Sequence, residues 1–182
     1  MSTVREVEAI LSSFLLTISK RRRANGRQNL RLQIDEAFSK AGGWTKAVTG
    51  TVDWTKRRLG VEVQVSAHYC MISLDLLHLK EQYDLGRIDA GMIIVIDPSL
   101  ACYLTRGAAD WNWALRLIEP WVEHALPLRL VSIAHDAVGA PLPKQINVRG
   151  PLAGGKAQQP SSAMTVDLFG NLNGQPYSSS TM

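Results

Sequence analysis

The strongest constraint on how this chain folds is the run from Gly60 to Ser66, in which apolar and polar residues alternate. Val61, Val63 and Val65 point to one side of an extended backbone, and the polar residues between them point to the other. A period of two is typical of a half-buried β-strand. The run therefore predicts a strand with one apolar and one polar face.

A second apolar run, Ala47 to Trp54, precedes this strand, and a basic, turn-like segment lies between the two. We expect a hairpin whose turn centres on Arg57 and Arg58. Its register places Asp53 directly opposite Glu62, with their Cβ atoms about 5 Å apart. Two carboxylates this close repel each other, and a hard cation such as Mg²⁺ removes the repulsion because it prefers oxygen ligands. The hairpin therefore predicts a metal site; the alternatives are a solvated polar face, or a register shifted by one residue.

The segment from Asp53 to Arg57 (DWTKR), followed after four residues by Glu62 to Gln64 (EVQ), resembles the catalytic hairpin of the BglII-type restriction endonucleases. That family has Asp-aromatic-x-Lys-Arg and then Glu-Val-Gln at the same distance. It is a branch of the PD-(D/E)xK nucleases in which Gln replaces the usual Lys. Gly91–Ile96 and Ala125–Ile133 are similar to the next two core strands of the family, so the resemblance covers roughly residues 40 to 137.

The resemblance implies an α/β fold of the restriction-endonuclease type, a mixed β-sheet flanked by helices, and the activity of a type II restriction enzyme. Such an enzyme is a Mg²⁺-dependent, sequence-specific endonuclease of double-stranded DNA. Asp53 and Glu62 would bind the Mg²⁺, which lowers the pKa of a bound water. The Val63 carbonyl would be the third ligand, and Gln64 would orient the water. Restriction enzymes of this kind are homodimers, since a two-fold symmetric protein matches a palindromic DNA site.

Positive charge is concentrated in the first third of the chain. Residues 1–60 contain twelve Lys and Arg against five Asp and Glu, whereas residues 61–182 contain eight against eleven. The densest cluster runs from Lys20 to Arg23, and a second lies in the hairpin turn. Basic clusters beside a carboxylate site suit a polyanion, because they attract phosphate while the carboxylates hold the metal; a solvated loop is the alternative. The residues that we expect to contact DNA are Lys56, Arg57, Arg58, Ser66 and His68.

One compact nuclease domain is expected over residues 1–148, because a chain of 182 residues that is 46% hydrophobic can bury a sizeable core. From 149 to 182 the composition shifts to Gly, Pro, Ser and Gln, which predicts a disordered tail. The apolar island of this tail, Thr165–Leu172, either docks on the domain or on a partner, or shares the disorder.

Hydrophobic spacing predicts four helices and two further strands. The helices are Thr3–Ser19, Asn29–Ala41, Ser73–Tyr83 and Ala108–His124, and the strands are Met92–Ile96 and Leu128–Ile133. Leu74 and Leu77 are expected to face inward, with Leu76 as a further candidate, and Pro120 to kink the last helix. Strands that alternate with helices after an initial hairpin indicate a mixed sheet flanked by helices.

We expect a cytoplasmic protein without a membrane segment. The apolar run Ala9–Ile18 is too short to span a bilayer, and Glu6 and Glu8 precede it where a signal peptide would be basic. Cys70 and Cys102 lie far apart and form no CxxC, which favours reduced thiols over a disulfide framework or a zinc site.

Other candidate residues and functions stay open. The four histidines, at 68, 78, 124 and 135, show no metal-ligand spacing, and Asp35 or Glu36 on the second helix is a candidate further carboxylate. The alternatives to a homodimeric restriction enzyme are a DNA-binding protein of the same fold that does not cleave, a repair or mobile-element nuclease with little sequence preference, and the small subunit of a heterodimeric nuclease.

Overall fold

The structure, a computed structural model, describes most of the chain up to residue 137. The described residues are 2–18, 27–47, 51–65, 71–101, 103–104, 108–124, 126–137, 165–167, 171–172 and 175–176. Several predicted features lie outside them: the basic cluster Lys20–Arg23, Ser66, His68, both cysteines, and the expected end of the domain at residue 148.

Five strands form the central sheet. They are β1 (Thr45–Lys46), β2 (Trp54–Lys56), β3 (Leu59–Gln64), β4 (Ala90–Ile96) and β5 (Leu128–Ile133). They lie side by side in chain order. β1, β2 and β3 pair antiparallel, whereas β3, β4 and β5 pair parallel through helical crossovers. The sheet is therefore mixed, and the predicted α/β fold is confirmed.

Helices cover both faces of this sheet. They are α1 (Thr3–Ser12), α2 (Arg27–Ala41), α3 (Met71–Asp84), α4 (Pro98–Ala101), α5 (Trp111–Ile118) and a 3₁₀ helix (Glu119–His124). Met92 and Ile94 belong to the apolar cluster of α1 and α2, whereas Ile93 and Val95 belong to that of α3 and α5. Both faces of β4 are covered, which explains why the whole strand is apolar. Within the described part of the chain, no helix has the length and hydropathy to cross a membrane.

β3 differs from the prediction because both of its faces are buried. Its valines pack in the cluster of α1 and α2, as the period of two predicts. Glu62 and Gln64, on the polar face for which a metal site was predicted and a solvated face was the alternative, are only 3% and 4% exposed. Asp75 and His78 of α3 contact these two side chains. The polar face of β3 is therefore covered by a helix that carries polar residues of its own.

The β2–β3 hairpin has the expected register and turn. Trp54 pairs with Val61, and the turn residues are Arg57 and Arg58, with left-handed φ angles of 46° and 64°. Two successive left-handed residues are the mark of the type I′ turn, whose twist matches that of the strands it joins. The carboxylate of Asp89 holds the turn, because it accepts bonds from Arg58 Nε at 2.7 Å and Nη2 at 2.6 Å.

The first helix is shorter than predicted. α1 ends at Ser12 rather than Ser19, and the chain then runs extended beside the end of β5. The backbone N–H of Leu16 donates to the Ala134 carbonyl at 3.0 Å, and the Leu16 carbonyl accepts from the N–H of Asp136 at 3.0 Å. Pairing with a distant strand therefore overrides the helical spacing of the apolar residues.

The predicted helix from Ala108 to His124 is also divided. α5 begins only at Trp111, because the Asp110 side chain caps it by accepting from the backbone N–H three residues later at 3.1 Å. The 3₁₀ helix takes over at Glu119, next to Pro120. The expected kink is thus a change of helix type.

α3 is rotated relative to the prediction. Leu74 and Leu77 are 40% and 54% exposed, whereas Leu76, the further candidate, faces the core together with Ile72 and Leu79. This rotation is what turns Asp75 and His78 toward β3.

Three short strands extend the sheet beyond β5. They are β6 (Thr165–Asp167), β7 (Asn171–Leu172) and β8 (Gln175–Pro176), and β6 pairs antiparallel with β5. The described residues of the apolar island, those of β6 and β7, thus lie in the sheet, and docking on the domain was one of the alternatives for this segment. The division into a domain of residues 1–148 and a disordered tail of 149–182 stays a prediction.

Candidate active site

The loop before β2 brings Asp53 against the backbone of β3. The hairpin ladder stops at the pair Trp54–Val61. Beyond it, the N–H of Val63 donates to Asp53 Oδ2 at 2.8 Å, and the Val63 carbonyl accepts from Arg31 Nη1 at 3.0 Å. Backbone groups of a buried strand need partners, so two side chains here replace the missing neighbour strand.

Arg31 on α2 is the cation at this point. Its Nη2 lies 2.6 Å from Asp53 Oδ1, and its Nε lies 3.1 Å from Asp35 Oδ1. Burial lowers the pKa of Arg31, but the bonds and charges of Asp53 and Asp35 outweigh this effect and raise the pKa above its usual value. Arg31 was not among the predicted site residues, because its sequence position does not show that it lies near the carboxylates.

Asp35 anchors this arginine. It also accepts from Lys46 Nζ at 2.7 Å and from Trp54 Nε1 at 3.0 Å. Burial raises the pKa of Asp35, but the bond from Lys46 and the charge of Arg31 outweigh it and hold the pKa below its usual value. Asp35 and Glu36 were the two candidates for a further carboxylate at the site. Asp35 instead pairs with Arg31, and Glu36 forms an exposed ion pair with Lys40 on the helix surface.

Glu62 is buried next to Asp53 with little positive charge around it. Its Oε1 lies 3.3 Å from His78 Nδ1. Burial, followed by the negative charges of Asp53 and Asp75, raises the pKa of Glu62 to about 10. A carboxyl with that pKa is protonated at neutral pH, so the ionised form requires a cation that these residues do not themselves supply.

Gln64 points to α3 rather than to open solvent. Its Nε2 donates to Asp75 Oδ2 at 2.5 Å, and Asp75 is only 8% exposed. Burial raises the pKa of Asp75 to about 7, although the bond from Gln64 works in the opposite direction. The three polar residues of this face, Glu62, Gln64 and Asp75, are thus packed as one group.

Asp75 and His78 add two possible metal ligands that the sequence analysis missed. Ligand atoms of Glu62, Asp75 and His78 lie within 4.8 Å of one another. Residues three apart share one face of a helix. The Asp-x-x-His spacing in the helix that follows the EVQ strand is therefore the sequence pattern that could have indicated these two ligands. The prediction that the histidines lack metal-ligand spacing is wrong for His78, because the neighbouring possible ligand on the helix is the carboxylate of Asp75 rather than another histidine. Carboxylates suit hard cations such as Mg²⁺, and an imidazole extends the set to transition metals.

The basic residues of the turn lie at the other end of the hairpin. Arg58 is four residues from Glu62 along β3, which corresponds to about 13 Å. Lys56 Nζ bonds to Glu6 and to the Gly42 carbonyl, and Arg58 bonds to Asp89. The DNA contacts expected of Lys56, Arg57 and Arg58 stay a prediction, as do those of Ser66 and His68.

A second polar cluster, at the carboxyl ends of β4 and β5, has the composition of a hydrolytic triad but not its hydrogen bonds. The N–H of Ala137 donates to His135 Nδ1 at 3.1 Å, so the neutral ring carries its proton on Nε2, which donates to Ser99 Oγ at 2.8 Å. Ser99 donates in turn to Asp97 at 2.5 Å. The histidine is therefore no base toward the serine, and the cluster ties α4 to the end of β5.

Comparison with known families identifies one match. The family model described as restriction endonuclease BglII/BglIII matches residues 1–133, from the start of the chain to the end of β5. This range includes the hairpin, α3 and Arg31, and it confirms the predicted resemblance. Comparison with curated proteins gives no match.

We expect the metal-free protein to lose stability as the pH rises, with Glu62 as the main cause. A carboxyl whose pKa is higher in the folded state contributes stability below the unfolded value of 4.5, and this contribution is lost as the pH rises toward about 10. The Tm of the wild type should therefore fall between about pH 5 and about pH 8. The Tm of Glu62→Gln, whose side chain cannot ionise, should fall less over the same pH range.

Calorimetry of both proteins in a chelating buffer checks this expectation. Glu36→Gln is the matched control, because its carboxylate is exposed and its loss should leave the pH profile unchanged. Parallel profiles for the wild type and Glu62→Gln would contradict the assignment.

Proposed function

We propose how this chain, which belongs to the BglII/BglIII family of restriction endonucleases, cleaves DNA. The family implies a type II site-specific deoxyribonuclease and generally uses a divalent metal. In our proposal the metal is Mg²⁺, and Asp53, Glu62 and the Val63 carbonyl hold it. The observation that carries this proposal is the buried carboxyl of Glu62 beside Asp53, which needs an added cation to ionise.

The donor set fits the cation. All three proposed ligands are oxygen atoms, which Mg²⁺ prefers, and they belong to one hairpin with a fixed register. When bound, the cation supplies positive charge that stabilises the developing charge on the phosphate and makes water a better nucleophile at neutral pH. Asp75 and His78 border the same carboxylate from α3. They would restrict where the cation sits relative to Glu62.

Gln64 has a positioning role in this proposal. The amide carries no charge, so it can only donate or accept hydrogen bonds. Asp75 accepts a hydrogen bond from Gln64 Nε2, which fixes the orientation of the amide plane. In this orientation, Oε1 is the amide atom that would accept a hydrogen bond from the attacking water. The buried Asp75 is thus the residue that orients Gln64.

The contacts to DNA divide into two groups. Arg31 and Lys46 lie at the carboxylates, while Lys56, Arg57 and Arg58 lie at the hairpin turn. We propose that the turn residues, together with Ser66 and His68, contact the DNA backbone away from the proposed metal ligands. Cationic side chains along a nuclease surface bind the phosphate backbone and fix the register of the protein on the duplex.

Asp53→Asn should abolish cleavage while keeping the fold. Asparagine retains an oxygen acceptor for the N–H of Val63 but loses the charge needed for a metal ligand. Asp53→Ala should in addition lower the free energy of unfolding by about 1–3 kcal/mol, because it removes the acceptor of two hydrogen bonds. Repulsion alone would predict a gain in stability, but Arg31 already neutralises Asp53.

Digestion of a long DNA with Mg²⁺, followed by sequencing of the ends, measures this activity and identifies the recognition site. Denaturation in urea measures the stability of each variant. Mg²⁺-dependent cleavage by purified Asp53→Asn at the wild-type rate would show that the proposed set of metal ligands is wrong.

Gln64→Ala should slow cleavage by about 10- to 100-fold without abolishing it, because the loss of a positioning contact costs less than the loss of a metal ligand. Glu62→Gln should leave essentially no cleavage. Gln64→Lys should retain partial activity, since the lysine can pair with Asp75 as the amide does. Single-turnover cleavage of an oligonucleotide checks the order of rates. A wild-type rate for Gln64→Ala would show that this side chain does not position the water.

Two copies of the chain are proposed to act on one palindromic site, because two-fold protein symmetry matches two-fold DNA symmetry. We expect sedimentation velocity to show a dimer and the products to contain double-strand breaks. A monomer with and without DNA, together with nicked products only, would favour the small subunit of a heterodimeric nuclease instead.

A further inference from the structure

Arg31 contacts two of the three groups that we propose as metal ligands. Its Nη2 lies 2.6 Å from Asp53 Oδ1, and its Nη1 donates to the Val63 carbonyl at 3.0 Å. A guanidinium presents its N–H groups as a fork, so one side chain spans both oxygens at once. The side chain is 23% exposed, which leaves it accessible from solvent.

A guanidinium in this place and a bound divalent cation compete for the same oxygen atoms. Mg²⁺ binds oxygen at about 2.0–2.1 Å, closer than an N–H group approaches, and each oxygen that it would bind already accepts one bond from Arg31. Two positive groups on the same two oxygens also repel each other strongly in a partly buried site. Binding of the metal therefore favours a position of Arg31 away from Asp53 and Val63.

Asp35 allows this movement without leaving the arginine unpaired. Arg31 Nε is bonded to Asp35 one helical turn further on, and Lys46 and Trp54 hold Asp35 in place. The two Nη groups can thus turn away from Asp53 while Nε keeps its partner. A phosphate of the DNA is the anion that the released groups would meet, since it offers paired oxygens to the same fork.

We propose, on the basis of the proposed function, that Arg31 is a displaceable cation that blocks the metal site until DNA is bound. In the metal-free protein it satisfies Asp53 and the Val63 carbonyl. When a DNA phosphate draws it away, the ligand set becomes available to the metal. Metal binding and DNA binding are then coupled, and each strengthens the other.

The test measures metal binding rather than cleavage. Mn²⁺ is the probe, because it binds to the same type of oxygen site and its free concentration is read directly by electron paramagnetic resonance. Without DNA, the full chain carrying Arg31→Gln should bind Mn²⁺ about 10- to 100-fold more tightly than the wild type. This gain in affinity corresponds to the free energy of one charge-assisted hydrogen bond, which Mn²⁺ has to break in the wild type but not in the variant. A non-cleavable phosphorothioate duplex should tighten binding for the wild type and much less for the variant.

Lys40→Gln is the matched control. It removes a positive charge from the same helix, but Lys40 lies on the solvent face and pairs with Glu36. Its Mn²⁺ affinity should stay within about twofold of the wild type, since exposed charges are well screened. An equal increase in Mn²⁺ affinity in Lys40→Gln and Arg31→Gln would show a general effect of charge and overturn the proposal. So would wild-type affinity in Arg31→Gln.

Arg31→Lys keeps the proposal testable if Arg31→Gln does not fold. Lysine retains the charge but cannot span Asp53 and the Val63 carbonyl with a fork, so its Mn²⁺ affinity should lie above that of the wild type. An affinity equal to or below the wild type would contradict the proposal.

Asp53→Asn separates this inference from the proposed function. If Mn²⁺ binding is unchanged in Asp53→Asn, the proposed metal site is wrong and the inference fails with it. If Asp53→Asn loses Mn²⁺ but Arg31→Gln does not gain affinity, the site stands and only the role of Arg31 is wrong.

Discussion

The burial of Glu62 under α3 is the constraint on which the rest of the site depends. A buried ionised carboxylate is costly unless it is paired, and among the described residues no Lys or Arg forms an ion pair with Glu62, which instead lies beside the imidazole of His78. The valines of β3 hold the strand in the core from its other face, so the carboxyl cannot move out to solvent. The fold therefore keeps Glu62 in a place where its ionisation needs a further positive charge.

The hairpin could be predicted from the sequence because its determinants are local. Alternation in β3 and a basic turn of two residues define the register, and the register defines that Asp53 and Glu62 are neighbours. β4 and β5 were likewise predictable, because a strand covered on both faces is apolar throughout. The resemblance to a nuclease family rested on the same hairpin, which is why the fold and the candidate ligands were predicted together.

The other residues of the site could not be predicted, because they depend on contacts between distant segments. Arg31 is 32 residues before Val63, and its bond to that carbonyl follows from how α2 crosses the sheet. Asp75 and His78 reach Glu62 only because α3 buries Leu76 and turns Leu77 outward, which hydrophobic spacing alone did not decide. Periodicity shows which residues share a face; it does not show which face another element will cover.

The charges of the proposed site balance in two different ways. Without metal, Arg31 neutralises Asp53, and Glu62, whose pKa is about 10, keeps its proton at neutral pH. A divalent cation held by Asp53 and Glu62 would supply two positive charges for the two carboxylates, so Arg31 would no longer be needed there and Glu62 would be ionised. Binding of the metal is thus an exchange of one guanidinium and one proton for one cation. In the proposal for Arg31, a phosphate of the DNA that pairs with the released guanidinium would shift the balance between these two arrangements.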